Sequence, residues 1–150
     1  MKVVIQRVQS AQVNVDQKVV GQISSGLLLL VGIEDADGDE DITWLSKKIL
    51  NMRIFPDEEK PMNRSVQDIS GQLLVVSQFT LHASTKKGNR PSFVKAAAPE
   101  KARLLYEQLI DRLKIESALT IESGRFGKMM EVSLINDGPV TIILDSKNKE

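Results

Sequence analysis

Apolar and polar positions alternate along much of the first third of the chain. Val3, Ile5 and Val8, then Val13 and Val15, suggest strands with a slip in the alternation near Ser10. Residues 19–23 predict a further strand and Ser25-Gly26 a turn. Residues 27–33 then run apolar without a break, as in a strand buried on both faces. The period then changes. Ile42, Leu45, Ile49 and Met52 recur at spacings of three and four, which predicts an amphipathic helix over roughly 40–52. Pro56 and Pro61 bracket a charged, turn-rich loop, and residues 73–79 read as a central strand. Residues 82–95 read as an irregular loop with Gly88 and Pro91. Pro99 suits a helix N-terminus, and Ala102, Leu105, Leu109 and Leu113 form the stripe of a second helix. Strands return at 119–122, 130–135 and 140–144. Gly124 and Gly127 flank a turn, Asp137-Gly138-Pro139 separates the last two strands, and the polar tail 146–150 is expected to fray.

Two helices cannot cover both faces of so large a sheet. The order predicts an α/β fold: a mixed, largely antiparallel sheet with both helices on one side and further strands on the other, in α/β/β layers. With 150 residues and neither repeat nor linker, residues 1–150 are expected to form one domain.

Composition narrows the chemistry. There is no cysteine, so disulfides, thiolate nucleophiles and sulfur-ligated metals are excluded. His82 is the only histidine, so one chain builds no multi-histidine metal site, and any Ser-His-Asp triad would need it. No phosphate-binding glycine loop or dinucleotide fingerprint occurs, and neither cofactor nor metal is expected. Six carboxylates lie within residues 34–41, but the ligand spacing of a calcium loop is missing. They read instead as a solvated loop whose acids favour the N-terminus of the next helix. Net charge is zero, so contact with RNA would need a local patch. Residues 82–95 hold one: Lys86, Lys87, Arg90 and Lys95, with no acid. The start of the chain has no long apolar region and the longest apolar run is too short to span a bilayer, so a cytoplasmic protein is expected, without membrane attachment.

Two segments stand out. Ser77-Gln78-Phe79-Thr80 places polar groups at the end of an apolar strand, where a rigid scaffold holds them, although plain strand alternation would also explain them. Asn136-Asp137-Gly138-Pro139-Val140-Thr141 contains a Gly-Pro pair that reads first as a turn. Gly138 permits close approach by another group, and a Gly-Pro bond adopts the cis form at a cost of about 0.5–1 kcal/mol.

Together these segments resemble the Ser-Gln-x-Thr and Asn-x-Gly-Pro-x-Thr motifs of the D-aminoacyl-tRNA deacylases. Ile5-Gln6-Arg7-Val8, Met62-Asn63, Gly88-Asn89-Arg90-Pro91-Ser92-Phe93 and Gly124-Arg125-Phe126 resemble further family segments, in order along nearly the whole chain. The resemblance implies the deacylase-type fold and hydrolysis of the D-aminoacyl-tRNA ester, a chiral proofreading step in tRNA editing. It also implies a homodimer, in which Gly138 and Pro139 from the partner subunit enter the pocket as a cis peptide and meet the substrate's chiral centre. Ser77, Gln78, Phe79 and Thr80 would form the catalytic segment, with backbone amides near Phe79 and Thr80 facing the oxyanion. Water would attack, assisted by the tRNA's own ribose hydroxyl. Glycine wrongly attached to tRNA would also fit an achiral filter.

Other readings stay open. One is a non-catalytic dimeric module that binds charged tRNA. Another is a small-ester hydrolase with a Thr80–His82 dyad, since residues two apart on a strand point the same way. Phe93 reads as buried packing rather than a base-stacking surface. One segment departs from the family: Gly127-Lys128-Met129 stands where Ala-Ala-Asp or Gly-Ala-Asp is common, so an acid is missing and a lysine is present.

Overall fold

The structure is a computed structural model that describes residues 1–150. In chain order its elements are β1 (Lys2–Val15), β2 (Lys18–Ile23), β3 (Gly26–Gly32), α1 (Asp39–Asn51), β4 (Gln72–Ser77), a 3-10 turn (Phe79–His82), α2 (Pro99–Glu116), β5 (Ile121–Ser123) and β6 (Glu131–Asp145). Strand β1 is the hub. It pairs antiparallel with β2, β3 and β6, while β4 joins β3, and β5 joins β4, in parallel. The order is β2-β1-β3-β4-β5, with β6 laid along β1. Strand β2 also packs against β4 and β5, which curls the sheet until it nearly closes. The expected mixed, mainly antiparallel sheet is what forms.

The apolar run of β3 is explained by its position between two cores. Leu27, Leu29 and Val31 face the core under both helices, whereas Leu28 faces a second core inside the curled strands. Leu73 and Val75 of β4 point to the first core, Leu74 and Val76 to the second. A period of two with both faces buried leaves no polar position. The slip near Ser10 is a β-bulge in one continuous strand: Val8 pairs with Asn136 and Ser10 with Ile135, leaving Gln9 extra. Residues 130–135 and 140–144, expected as separate strands, are two halves of β6. Gln6 pairs with Thr141 and Val8 with Asn136, so residues 137–140 bulge out opposite Arg7 alone.

Pro99 occupies the first turn of α2, where its missing amide proton costs nothing. Arg112 of α2 reaches α1 through Asp39 (2.9 Å) and Thr43 (3.0 Å).

The acidic loop and the tail differ from expectation. Asp35, Asp39 and Glu40 are exposed, but Asp37 and Asp41 are buried. The Met1 ammonium pairs with Asp37 and donates to the Ser146 hydroxyl at 2.9 Å. Ser146 in turn donates to Asp41 at 2.6 Å, and Lys147 Nζ approaches Asp41 at 3.0 Å. The start of the tail is therefore bound in place. Burial pushes the Asp41 carboxyl up, but hydrogen bonds from Ser146, Lys147 and the Gly38 amide outweigh it and hold the pKa at about 2, below the ordinary 3.8. A depressed carboxylate stabilises the fold fully above its unfolded pKa and loses that contribution as pH falls through the folded value. Urea unfolding should show wild-type stability declining by about 2 kcal/mol between pH 4 and pH 2 from this group. Asp41→Asn should be less stable at pH 7 and show a shallower acid limb. An unchanged acid limb would remove Asp41 from the account.

Candidate active site

The ladder between β3 and β4 ends with Val31 opposite Ser77, because β3 itself ends one residue later. Gln78 still donates its amide to the Val31 carbonyl at 2.7 Å, and the chain then curls into the 3-10 turn. Gln78 Nε2 donates to Thr80 Oγ1 at 2.5 Å, which ties the start of the turn to the strand end. The amides of Phe79 and Thr80 head this turn, and amides at the start of a helical turn have no acceptor within it.

Beside the turn lies a cavity of about 470 Å³. Its polar edge is Ser77 and Gln78. Its walls include Val31, Ile33, Phe93, Ala102 and Phe126, together with the Ala96–Pro99 segment that leads into α2. Phe79 is 57% exposed and meets Phe93 edge-on, with ring centroids 5.0 Å apart. Phe93 is thus half-buried wall, not core as expected. Such a chamber suits a flat, apolar ligand held by a few polar groups on one side. Phe79, whose amide heads the turn, also lines this cavity.

The structure does not form the Thr80–His82 dyad. Thr80 is exposed and bonded to Gln78, whereas His82 is buried at 4% exposure and its Nε2 has no partner. The expected strand geometry fails because the 3-10 turn rotates successive side chains apart. Burial pushes the nearby Tyr106 phenol up to about 12, and its hydroxyl donates to the Val75 carbonyl at 2.7 Å. It stays protonated and committed to the backbone.

The second motif lies in the bulge of β6. The Asn136 side chain accepts the Val140 amide at 3.1 Å and donates to Thr141 Oγ1 at 3.0 Å. The Asn and Thr that open and close the motif therefore clip the loop between them, which explains their spacing. The Gly138–Pro139 peptide is cis, and both residues are exposed. Neither lines the cavity described above.

Arg7 supports this loop, and sequence reasoning assigned it no role. It is 8% exposed. Its Nε donates to the Asp137 carbonyl at 3.2 Å and stands 3.3 Å from the Asp137 carboxylate, while Nη1 donates to the Ile54 carbonyl at 2.7 Å. The signal was present: Arg7 continues the core-facing series Val3, Ile5, where a charge needs partners.

Lys86, Lys87 and Arg90 lie in an exposed loop closed by the Ser84–Ser92 bridge, and Lys95 follows it. The loop adjoins the cavity through Phe93.

A mixed sheet with an apolar cavity beside the strand-end turn and a clipped Gly-Pro loop defines the class. The family model described as D-Tyr-tRNA(Tyr) deacylase matches residues 4–145, and the chain belongs to that family. It is 61% identical over 150 residues to the D-aminoacyl-tRNA deacylase of Flavobacterium psychrophilum, with all of both chains covered. It is 58% identical, again over all of both chains, to the protein of that name from Flavobacterium johnsoniae. Among solved structures, a "c-Myc DNA Unwinding Element Binding Protein" superposes with a TM-score of 0.91 at 39% identity, covering 97% of this chain and 98% of that one. A "probable eukaryotic D-amino acid tRNA deacylase" gives 0.79 at 18% identity, covering 95% and 97%, and shares the fold.

Proposed function

We propose that the chain, residues 1–150 acting as one domain in the cytoplasm, hydrolyses the ester joining a D-amino acid to the 3′ end of tRNA. The products are free D-amino acid and tRNA. One observation carries this reading: the apolar cavity opens beside the 3-10 turn headed by the Phe79 and Thr80 amides. The terminal adenosine occupies the cavity between Phe79, Phe93 and Phe126. The ester carbonyl faces the amides, which stabilise the oxyanion as water attacks. The terminal ribose hydroxyl assists the water, so Ser77, Gln78, Phe79 and Thr80 act by shape and by backbone donors rather than as a nucleophile. No cofactor or metal takes part.

The working unit is a homodimer. Within one chain the Gly138-Pro139 loop is exposed and absent from the cavity wall, which supports its entry into the neighbouring subunit's site. There Gly138 and Pro139 of the partner subunit stand over the substrate's α-carbon. An L side chain collides with their backbone and a D side chain points away, so selection comes from exclusion. Glycine carries no side chain and passes the same filter. Lys86, Lys87, Arg90 and Lys95 contact the tRNA backbone.

The test is multiple-turnover release from D-Tyr-tRNA and L-Tyr-tRNA by EDTA-treated protein. Rapid release from the D-ester alone is expected. Binding of tRNA with no turnover would instead establish a binding module. Thr80→Ala should keep kcat within about fivefold, because the change removes the hydroxyl and γ-methyl but leaves the backbone amide in place. A fall of a thousandfold in a folded variant would restore the threonine nucleophile.

A further inference from the structure

A second and larger depression, about 730 Å³, lies between β2, α2 and β5, on the far side of the Phe126 wall. Five cations line it: Lys18, Arg103, Lys114, Arg125 and Lys128. All five are exposed, and none forms an ion pair. Arg125 reaches only the neighbouring Gly124 carbonyl, at 3.3 Å. Asp16, Glu107 and Asp111 share the groove, so five cations face three acids and the surface keeps a net positive charge in a chain whose total is zero.

The groove and the catalytic cavity lie on either side of one residue. Phe126 belongs to both, and α2 gives Ala102 to the cavity and the next residue, Arg103, to the groove. The Arg103 guanidinium lies over the Phe126 ring, 5.3 Å from its centroid. A planar cation stacked on an aromatic ring at a threshold suits a chain of bases and phosphates. Lys128, part of the segment that departs from the family pattern, adds a positive charge to this wall.

We propose that this groove binds the single-stranded 3′ end of the tRNA, taking the phosphates that precede the terminal adenosine as the strand leaves the cavity past Phe126. The inference rests on the deacylase reading and extends it: loop 83–95 meets the tRNA on the Phe93 side, while the α2–β2 groove guides the strand on the other. Unpaired cations are what phosphate binding requires, because each phosphate they neutralise releases a counterion from the nucleic acid.

The test uses the full chain with Lys18→Glu, Lys114→Glu and Lys128→Glu combined. KM for D-Tyr-tRNA should rise at least tenfold. The slope of log(kcat/KM) against log salt should become shallower by about 2, at roughly 0.7 for each single-strand phosphate no longer neutralised. KM and salt slope within twofold of wild type in a folded variant would overturn the proposal, as would a fall in kcat with both preserved. If the triple variant does not fold, Lys114→Ala and Lys128→Ala, each expected to raise KM about threefold, decide the question. Fluorescence anisotropy with an uncharged RNA stem ending in a single-stranded ACCA separates this proposal from the catalytic one. Wild-type protein without turnover overturns the deacylase reading. Weaker RNA binding by the triple variant still upholds the groove, and equal binding overturns it.

Discussion

Gly138→Ala should lower kcat/KM for the D-ester by about a hundredfold and erode the preference for D over L, while the protein stays folded. Gly138 has φ +126°, a region that L side chains rarely adopt. A residue with a Cβ held there costs about 1–3 kcal/mol. Space is short as well. The added Cβ would stand 2.9 Å from Val140 Cγ2, 3.0 Å from the Val140 amide nitrogen and 3.1 Å from Arg7 Nη2. The Val140 amide is the one that Asn136 accepts, so relieving the crowding pulls on the clip that closes the loop. The loop must move, and a filter made of backbone works only where the backbone stands. Misplacement by about 1 Å is enough for a loss of a hundredfold. Circular dichroism and a melting temperature only a few degrees lower would show that the fold survives. Parallel assays on D-Tyr-tRNA and L-Tyr-tRNA are the decisive measurement. Undiminished D preference in a folded variant would dismiss the loop as the chiral filter.

The parts of this molecule legible in the sequence are those set by short-range pattern. The alternation of β1 announced extended chain and placed the slip near Ser10, because a period of two registers every side chain against a face, but it suggested separate strands where one bulged strand runs through. The unbroken run of β3 and the stripes of both helices were equally readable. The 3-10 turn was not. Phe79 and Leu81 alternate with polar neighbours as a strand would, but β4 loses its pairing partner when β3 ends at Gly32. A Cβ on Gly32 would come within 2.9 Å of Leu81 Cβ and 3.1 Å of His82 Cδ2, so the bare glycine lets the turn fold back over the end of β3. That packing buries His82 and dissolves the dyad. The network of Met1, Asp37, Asp41 and Ser146 was hidden for another reason. Its hydrogen bonds join residues up to 145 positions apart, beyond any local pattern, so the acids read as solvated and the tail as free. Both site motifs were visible as words, but their relation was not. One chain sets the cavity and the Gly-Pro loop apart, and Arg7, which holds that loop, looked like one polar residue in an apolar strand.

Arg7→Ala is the substitution expected to affect stability and activity together. It removes donors from the Ile54 and Asp137 carbonyls and leaves the Asp137 carboxylate without its cation. It also opens space beside Phe55, whose ring centroid lies 6.0 Å from the guanidinium carbon. The Asp137 side chain is 40% exposed and can rehydrate, so the main loss falls on the buried bond to the Ile54 carbonyl. About 2–4 kcal/mol of stability should go, which lowers the melting temperature by roughly 5–15 °C. A merely structural arginine would stop there, with D preference intact in the folded fraction. A positioning arginine takes kcat/KM for the D-ester down by about a hundredfold and narrows the D-to-L ratio, measured below the melting transition. Arg7→Lys separates the two roles. An ammonium restores charge near Asp137 but cannot hold two carbonyls at once as the guanidinium fork does. Stability should recover in part while the ratio stays low. The double variant with Gly138→Ala completes the argument. The added methyl and the Arg7 guanidinium compete for the same space, so the two losses should fall short of adding when combined. Strict additivity would mean that Arg7 and Gly138 act independently, and Arg7 would then be a residue of the core alone.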